Sequence, residues 1–473
     1  MQRIVGLKQL EEEIRRERAM LASGEFPWVI PSFPSKPTCF DVVIVGAGMA
    51  GLAVAFQLQQ AGIFNFRIID TCMPGLEGPW NTYARMKMLR STKDLVGPAY
   101  NFPLLTFQAW YEAQYGESNW QHLGKIPTHL WMEYLGWFRE MLQLPVQNCA
   151  HLVHLEPVEN LLKLSVIHGD MPEDFMTRKL VLATGRGGFG GVDLPEFVKD
   201  LPKGYYSHTC EEIDFRALKG KRLCVFGAGA SAFDAAAVAL EAGVGSVTLL
   251  LRRKHVPKVN KLASLTYYGM SAGFYHLSDE ERYAFMVESW GAGGPPPHEA
   301  LDRVQGYSNF FVKGEAHIQC VFVEKEELVV LLTQEELRCD YMILATGFKV
   351  DGTQQPELRD VADKILFWKD RGTLPKDAAE KFGSFPYLGP HFEFLEKKKG
   401  EAPFLKHLYC FNYAATLSHG LISSDVPGIG VGAHRVAAGI AADLFIENSR
   451  ANFENLVQYN QSEFDPRDYP FLP

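Results

Sequence analysis

The stretch VVIVGAGMAGLAVAFQLQQAG, residues 42–62, together with the apolar run FRIID ending at Asp70, constrains this chain more than any other. An apolar run enters Gly46, Gly48 and Gly51 and leaves in an Ala/Leu/Gln-rich helical pattern, which predicts a strand, a tight phosphate turn and a helix. Each glycine has a separate job in such a turn. Gly46 permits the turn, Gly48 lets a pyrophosphate approach the backbone, and Gly51 lets the helix lie close on its strand with its N-terminus toward the phosphates. Asp70 closes the second predicted strand, where an acid accepts hydrogen bonds from a ribose diol. A glycine turn alone says little in a chain with 42 glycines, but strand, turn, helix, strand and acid in that order predict a dinucleotide site.

A second copy follows in RLCVFGAGASAFDAAAVALEAG, residues 222–243. Gly227 and Gly229 repeat the first two glycines, Ala232 stands at the third position, and Ser231 offers a hydroxyl to a phosphate. The strand after it ends in Arg252, Arg253 and Lys254 instead of an acid. Guanidinium groups accommodate a 2′-phosphate, so the second nucleotide is expected to be NADPH. Two buried-strand patterns, KLVLATG at 179–185 and YMILATGF at 341–348, end in the same small-residue turn. They predict that the chain crosses between two dinucleotide domains at both places.

At 473 residues the chain is long enough for two or three domains. Its net charge of −9 argues against a nucleic-acid surface or a basic membrane anchor and favours small-molecule chemistry. The eight cysteines form no CxxC or CxxxxC pair, which fits reduced thiols of a cytoplasmic protein; no metal site is expected. The N-terminus, with Glu11, Glu12, Glu13, Arg15, Arg16 and Arg18, is no secretory signal, and no apolar run of membrane-spanning length is expected. Residues 1–39 read as an arm, a charged helix over 5–22 and then a proline-rich extended run. Such an arm packs on its own domain or bridges a homo-oligomer. The aromatics Trp80, Tyr83, Tyr100, Phe102, Phe107, Trp110 and Tyr111 wall a pocket or build a second small core. Residues 350–407 read as a surface excursion, and Asp425 and Pro427 as the start of a closing helix whose positive end suits a ring that gains charge on reduction.

With these features the chain resembles the two-dinucleotide-domain flavoprotein monooxygenases, the class of flavin-containing and N-hydroxylating amine monooxygenases. The resemblance implies an α/β fold with two Rossmann-like dinucleotide-binding domains, the second inserted into the first: FAD on 40–200 and 340–473, NADPH on 201–339. It would put Gly46, Gly48, Gly51, Asp70 and Trp80 on FAD, and Gly227, Gly229, Ser231, Arg252 and Arg253 on NADPH. STKDL at 91–95, FYHLSDEER at 274–282 and SHGL at 418–421 look like elements of the amine N-hydroxylases. By that likeness Lys93 is a substrate contact and Asn309, in GYSNFF, another catalytic candidate. Gly204 and His208 fit part of the flavin-monooxygenase linker signature, and His208 and His419 read as packed or capping histidines. The implied activity is formation of a C4a-hydroperoxyflavin from NADPH and dioxygen and oxygenation of a nucleophilic nitrogen or sulfur of a small molecule, with amine N-hydroxylation favoured. The alternatives are a Baeyer–Villiger monooxygenase, a reductase without oxygenation, and a nucleotide-sensing protein without turnover.

Overall fold

The computed structural model describes residues 4–21, 28–31, 39–469 and 471. Helix α1 (Leu7–Met20) buries Leu10 and Ile14 in the main core. The Gly6 N–H donates to Ala113 O and the Trp28 indole to Ala61 O, so these parts of the predicted arm lie on their own chain. Its residues 1–3, 22–27 and 32–38 lie outside the described residues.

The first sheet starts with β1 (Cys39–Val45), passes through α2 (Met49–Gln60) to β2 (Phe66–Ile69), and takes in β3 (Val146–Gln147), β4 (Ala150–Val158), β5 (Leu161–His168) and β6 (Met171–Leu182). Its order is β3-β2-β1-β6-β5-β4, parallel from β3 to β6 and antiparallel through β5 and β4. Val42, Val43 and Ile44 of β1 are fully buried, the reason this central strand reads as an unbroken apolar run. Between β2 and β3 stand α3 (Phe107–Tyr115), α4 (Glu117–His122) and α5 (Thr128–Met141). Phe107, Trp110, Tyr111, Trp120, Trp131 and Tyr134 interlock there as an aromatic part of the main core, while Trp80, Tyr83 and Tyr100 stay half-buried.

After β6 the chain passes β7 (Gly190–Val192) and builds the second sheet from β8 (Tyr206–His208), β9 (Arg222–Phe226), α6 (Ala230–Glu241) and β10 (Ser246–Leu250). Helices α7 (Tyr268–Gly273), α8 (Asp279–Ala292) and α9 (His298–Gln305) lead to β11 (Phe310–Lys313). A small antiparallel sheet, β12 (Ile318–Glu324), β13 (Glu327–Leu332) and β14 (Glu336–Cys339), precedes β15 (Tyr341–Leu344). The second sheet is parallel throughout, in the order β11-β10-β9-β15-β8. Strand β16 (Phe348–Val350) then pairs with β7, and β17 (Leu408–Cys410) rejoins β6, so the whole second sheet is inserted into the first.

Three expectations differ from this architecture. Strand β15 pairs with β9 and β8, so the second sheet runs past residue 339; the ATG turn, not the end of the antiparallel strands, marks the crossing. Residues 350–407 are no surface excursion: Leu358, Ile365, Trp368, Leu388 and Leu405 are fully buried, although 369–372 and the lysine run at 397–401 are exposed. Short helical turns and isolated bridges bury them at irregular spacing, which leaves no helical or strand period to read. The closing helix begins at Ile429 behind Gly428, and the Asp425 carboxylate accepts from the adjacent Val426 N–H instead of capping it. That 19-residue helix is long and apolar enough to cross a membrane, yet half of the qualifying stretch is buried in this core, and it packs on α2.

Candidate active site

Two turns share one geometry. Gly46, after β1, has φ +105°, and a Cβ there would meet Ala183 O at 2.5 Å. Gly227, after β9, has φ +151° and would meet Ala345 O at 2.6 Å. Those carbonyls belong to the two ATG turns, which are held in place because Ala183 N–H donates to Val45 O and Ala345 N–H to Phe226 O. Each ATG thus backs the glycine turn of its own sheet.

The middle glycines are open where the flanking ones are filled. Gly48 and Gly229 are extended N-caps of α2 and α6; the nearest atoms to a Cβ on them are Gly78 Cα and Gly294 O, each at 3.7 Å. Neither helix has a side-chain cap or an acid in its first turn, so its leading N–H groups can face an anion. A Cβ at Gly51 would lie 1.8 Å from Gly46 O, so α2 rests directly on its turn. This cradle, closed for packing and open at one glycine, is what a dinucleotide pyrophosphate requires.

Asp70 stands at the edge of the first turn, its Oδ2 accepting from Ala47 N–H (2.7 Å) and its Oδ1 from Cys72 N–H (2.8 Å). Each oxygen keeps capacity for a ribose hydroxyl. The Trp80 indole flanks Gly78, the residue facing Gly48. In the second turn Ser231 is exposed on the first turn of α6. Arg252 is exposed and has no hydrogen-bond or ionic partner among the described residues. Arg253 instead donates to Gly291 O and Ala292 O, both at 2.9 Å, and holds the C-terminus of α8.

A group of charged and aromatic residues gathers beside the first ATG turn. Arg186, directly after the first ATG, is exposed, lies 5.7 Å over the Tyr413 ring, and has no hydrogen-bond partner among the described residues. Tyr413 N–H donates to Gly185 O, and its ring neighbours Trp290 at 6.3 Å. Burial raises the Asp425 carboxyl and the Tyr83 phenol, and the nearby Arg186 charge partly opposes both shifts. Arg90 is close enough to feel the same charge: desolvation lowers its pKa, Asp234 opposes that shift and Arg186 adds to it.

The other predicted residues are engaged with their own neighbours. Lys93 Nζ donates to Trp120 O (2.6 Å) at the end of α4 and sits 4.7 Å over that indole. Asn309 Nδ2 donates to Val244 O (3.2 Å) and Gly245 O (3.0 Å), and its carbonyl accepts from Val247 N–H. This is the amino edge of the second sheet, a strand length of about 16 Å from the glycine turn, so Asn309 is removed from the site. His419 is buried, stacked on Phe392, and joined to Gly389 O and Arg435; burial and Arg435 hold its pKa well below the ordinary value. His208 is buried against Cys210, whose thiol burial pushes up to about 11. Both histidines are structural. The reading of the sequence missed Arg186, Arg90 and Tyr413. The one signal for Arg186 was the contrast between ATGRGG and the second ATGF, since a charged residue after one turn and an aromatic after the other implies different neighbours.

Residues 40–266 match the pyridine nucleotide-disulphide oxidoreductase family, although no disulfide is formed among the described residues. The FAD-dependent urate hydroxylase of Xanthomonas campestris pv. campestris is 38% identical over 462 residues, 97% of this chain and 98% of that protein. Among solved structures, the ornithine hydroxylase of Pseudomonas aeruginosa superposes with a TM-score of 0.69 at 16% identity, covering 86% of this chain and 100% of that one. The FAD-bound cadaverine monooxygenase of Erwinia amylovora gives 0.67 at 13%, covering 86% and 95%. These two likenesses are of fold, whereas the first runs end to end in sequence. The chain belongs to the family of that FAD-dependent hydroxylase and is a flavoprotein monooxygenase.

Proposed function

We propose that this monooxygenase hydroxylates a planar, anionic oxopurine of the urate class. The end-to-end likeness to a urate hydroxylase carries the reading. In it the first turn holds FAD through Gly46, Gly48, Gly51, Asp70 and Trp80. The second holds NADPH through Gly227, Gly229 and Ser231, with Arg252 on the 2′-phosphate. Reduced FAD, when bound, supplies the activation of dioxygen. The chain's own work is to orient and enclose. Arg186, with no hydrogen-bond partner among the described residues, draws an anion to the first ATG turn, and the Tyr413 ring beside it stacks with a flat heterocycle. Tyr83 and Trp290 complete an aromatic wall that keeps water from the reacting atoms.

Amine N-hydroxylation, the expectation drawn from STKDL, needs Lys93 on the substrate. Here its ammonium is already engaged at Trp120 O, and the amine-oxidising neighbours share only the fold.

The test measures NADPH oxidation, oxygen uptake and hydrogen peroxide with urate, ornithine, lysine and cadaverine in turn. One NADPH consumed per urate hydroxylated, with little peroxide, is expected. Arg186→Gln is expected to raise the KM for urate at least tenfold and leave flavin reduction by NADPH unchanged. Coupled turnover of an amine without turnover of urate, or no NADPH oxidation at all, overturns the reading.

A further inference from the structure

One segment, residues 78–90, borders both nucleotide turns. At its start Gly78 faces Gly48, with its Cα 3.7 Å from the position of a Cβ there. At its end Arg90 Nη2 donates to Asp234 Oδ2 at 3.2 Å, and Asp234, 3% exposed, sits on α6 just past the turn opened by Gly229. Lys87 Nζ reaches Glu241 at the far end of the same helix (3.0 Å). Arg85 donates to Thr209 O and Glu211 O beyond β8. Arg303 of α9 completes the set: it donates to both Glu241 oxygens at 2.9 and 3.0 Å, lies 3.6 Å from Asp234 Oδ1, and donates to Arg85 O at 3.0 Å.

Asp234 is out of place as mere filling. Its neighbours Ala232, Phe233, Ala235, Ala236 and Ala237 are buried apolar residues of a helix packed on its sheet. A carboxylate in that surrounding is costly unless cations meet it, and here one comes from each side. The energy spent yields direction: a charged hydrogen bond across two domains holds one register, where an apolar contact would slide.

We infer that segment 78–90 is a rigid spacer setting the distance between the two dinucleotides, with Arg90 and Asp234 as positioning residues for hydride delivery. In that step a hydride leaves NADPH, which becomes NADP⁺, and FAD is reduced by the same electron pair. Hydride transfer needs donor and acceptor at about 3–3.5 Å, and a displacement near 1 Å costs about a hundredfold in rate. The chain passes between the sheets only on either side of the inserted unit, where β7 and β16 pair, and domains so connected hinge unless an interface stops them. Both ends of α6 are stopped by this one segment.

The inference needs the two cofactors but not the substrate class, so anaerobic flavin reduction by NADPH tests it independently of the oxopurine reading. Arg90→Met, Arg90→Lys, Asp234→Asn and the double variant Arg90→Met/Asp234→Asn are compared as FAD-loaded proteins. Arg90, 45% exposed, is the position least able to disturb folding. Both single losses are expected to lower the limiting reduction rate at least tenfold while the nucleotide Kd moves less than threefold. The double variant is expected to be no slower than the worse single, and Arg90→Lys to recover most of the rate. Small-angle scattering of Arg90→Met is expected to show a larger radius of gyration than the parent. A folded Arg90→Met with parental reduction rate and scattering, or a loss confined to Kd, overturns the inference.

Discussion

Two alanines three residues apart separate packing from ligand recognition within the first turn. At Gly51 the new Cβ would lie 1.8 Å from Gly46 O and 3.3 Å from Ile44 Cγ2. Carbon and oxygen need roughly 3.2 Å, so α2 must withdraw by about 1.4 Å from β1 in a close-packed interior. The atom struck is backbone of a turn itself pressed on Ala183 O, so no rotamer change relieves it, and such overpacking costs roughly 1–3 kcal/mol. At Gly48 the backbone, φ −69° and ψ −176°, suits any residue, and a Cβ meets nothing nearer than 3.7 Å. Alanine is a poorer N-cap than glycine, but its stiffer unfolded chain offsets about 0.4–1 kcal/mol, leaving the apoprotein nearly unchanged. The methyl instead fills the space through which a pyrophosphate reaches the α2 N–H groups. Gly51→Ala is therefore expected to lower the urea midpoint of the deflavinated protein. Gly48→Ala, and more so Gly48→Val, should hold that midpoint but purify with little flavin. Circular dichroism and flavin absorbance per protein read the two effects. A full flavin complement in Gly48→Val, or an unmoved midpoint in Gly51→Ala, refutes the reasoning.

Burial and the Lys179 ammonium, 2.8 Å away, hold the His407 imidazole at about 4. Because that lies below the ordinary value of about 6.5, the neutral ring's contribution is whole above pH 6.5 and lost as pH falls through 4. Urea midpoints between pH 7 and 4 should show roughly 3 kcal/mol of it disappearing, and His407→Gln should flatten the profile. Arg252→Ala should weaken NADPH by roughly 1.5–3 kcal/mol and leave NADH unaffected. Arg253→Ala, which frees the end of α8, should affect both nucleotides alike in fluorescence titrations. Asn309→Ala should leave flavin reduction and substrate kinetics unchanged and cost about 1–2 kcal/mol in chemical denaturation, for two lost bonds to Val244 O and Gly245 O.

Much of the scaffold is legible in the residues alone. The glycines at 46, 48 and 51 and at 227 and 229 answer to steric demands settled within one strand–turn–helix unit, so their order along the chain reveals them. The paired ATG turns announce a repeated crossing, and the structure adds why they are small: each carries an alanine whose carbonyl backs the glycine that follows the neighbouring strand. The arginine pair after β10 was legible as a charge pattern but not as two roles, because only the position of α8 decides which guanidinium is already engaged. Lys93 and Asn309 show the limit of local likeness: one lies at a helix end and the other at the far edge of a sheet. The buried aromatics of 350–407 were invisible because irregular turns, not a period, point them inward. The sequence by itself determined the two nucleotide turns, whose geometry depends on sterics between near neighbours in the chain. Only the tertiary structure brought Arg85, Arg90, Asp234 and Arg303 together, and Arg186 over Tyr413, because contacts between residues distant in the chain are set by how whole elements pack, which no local pattern encodes.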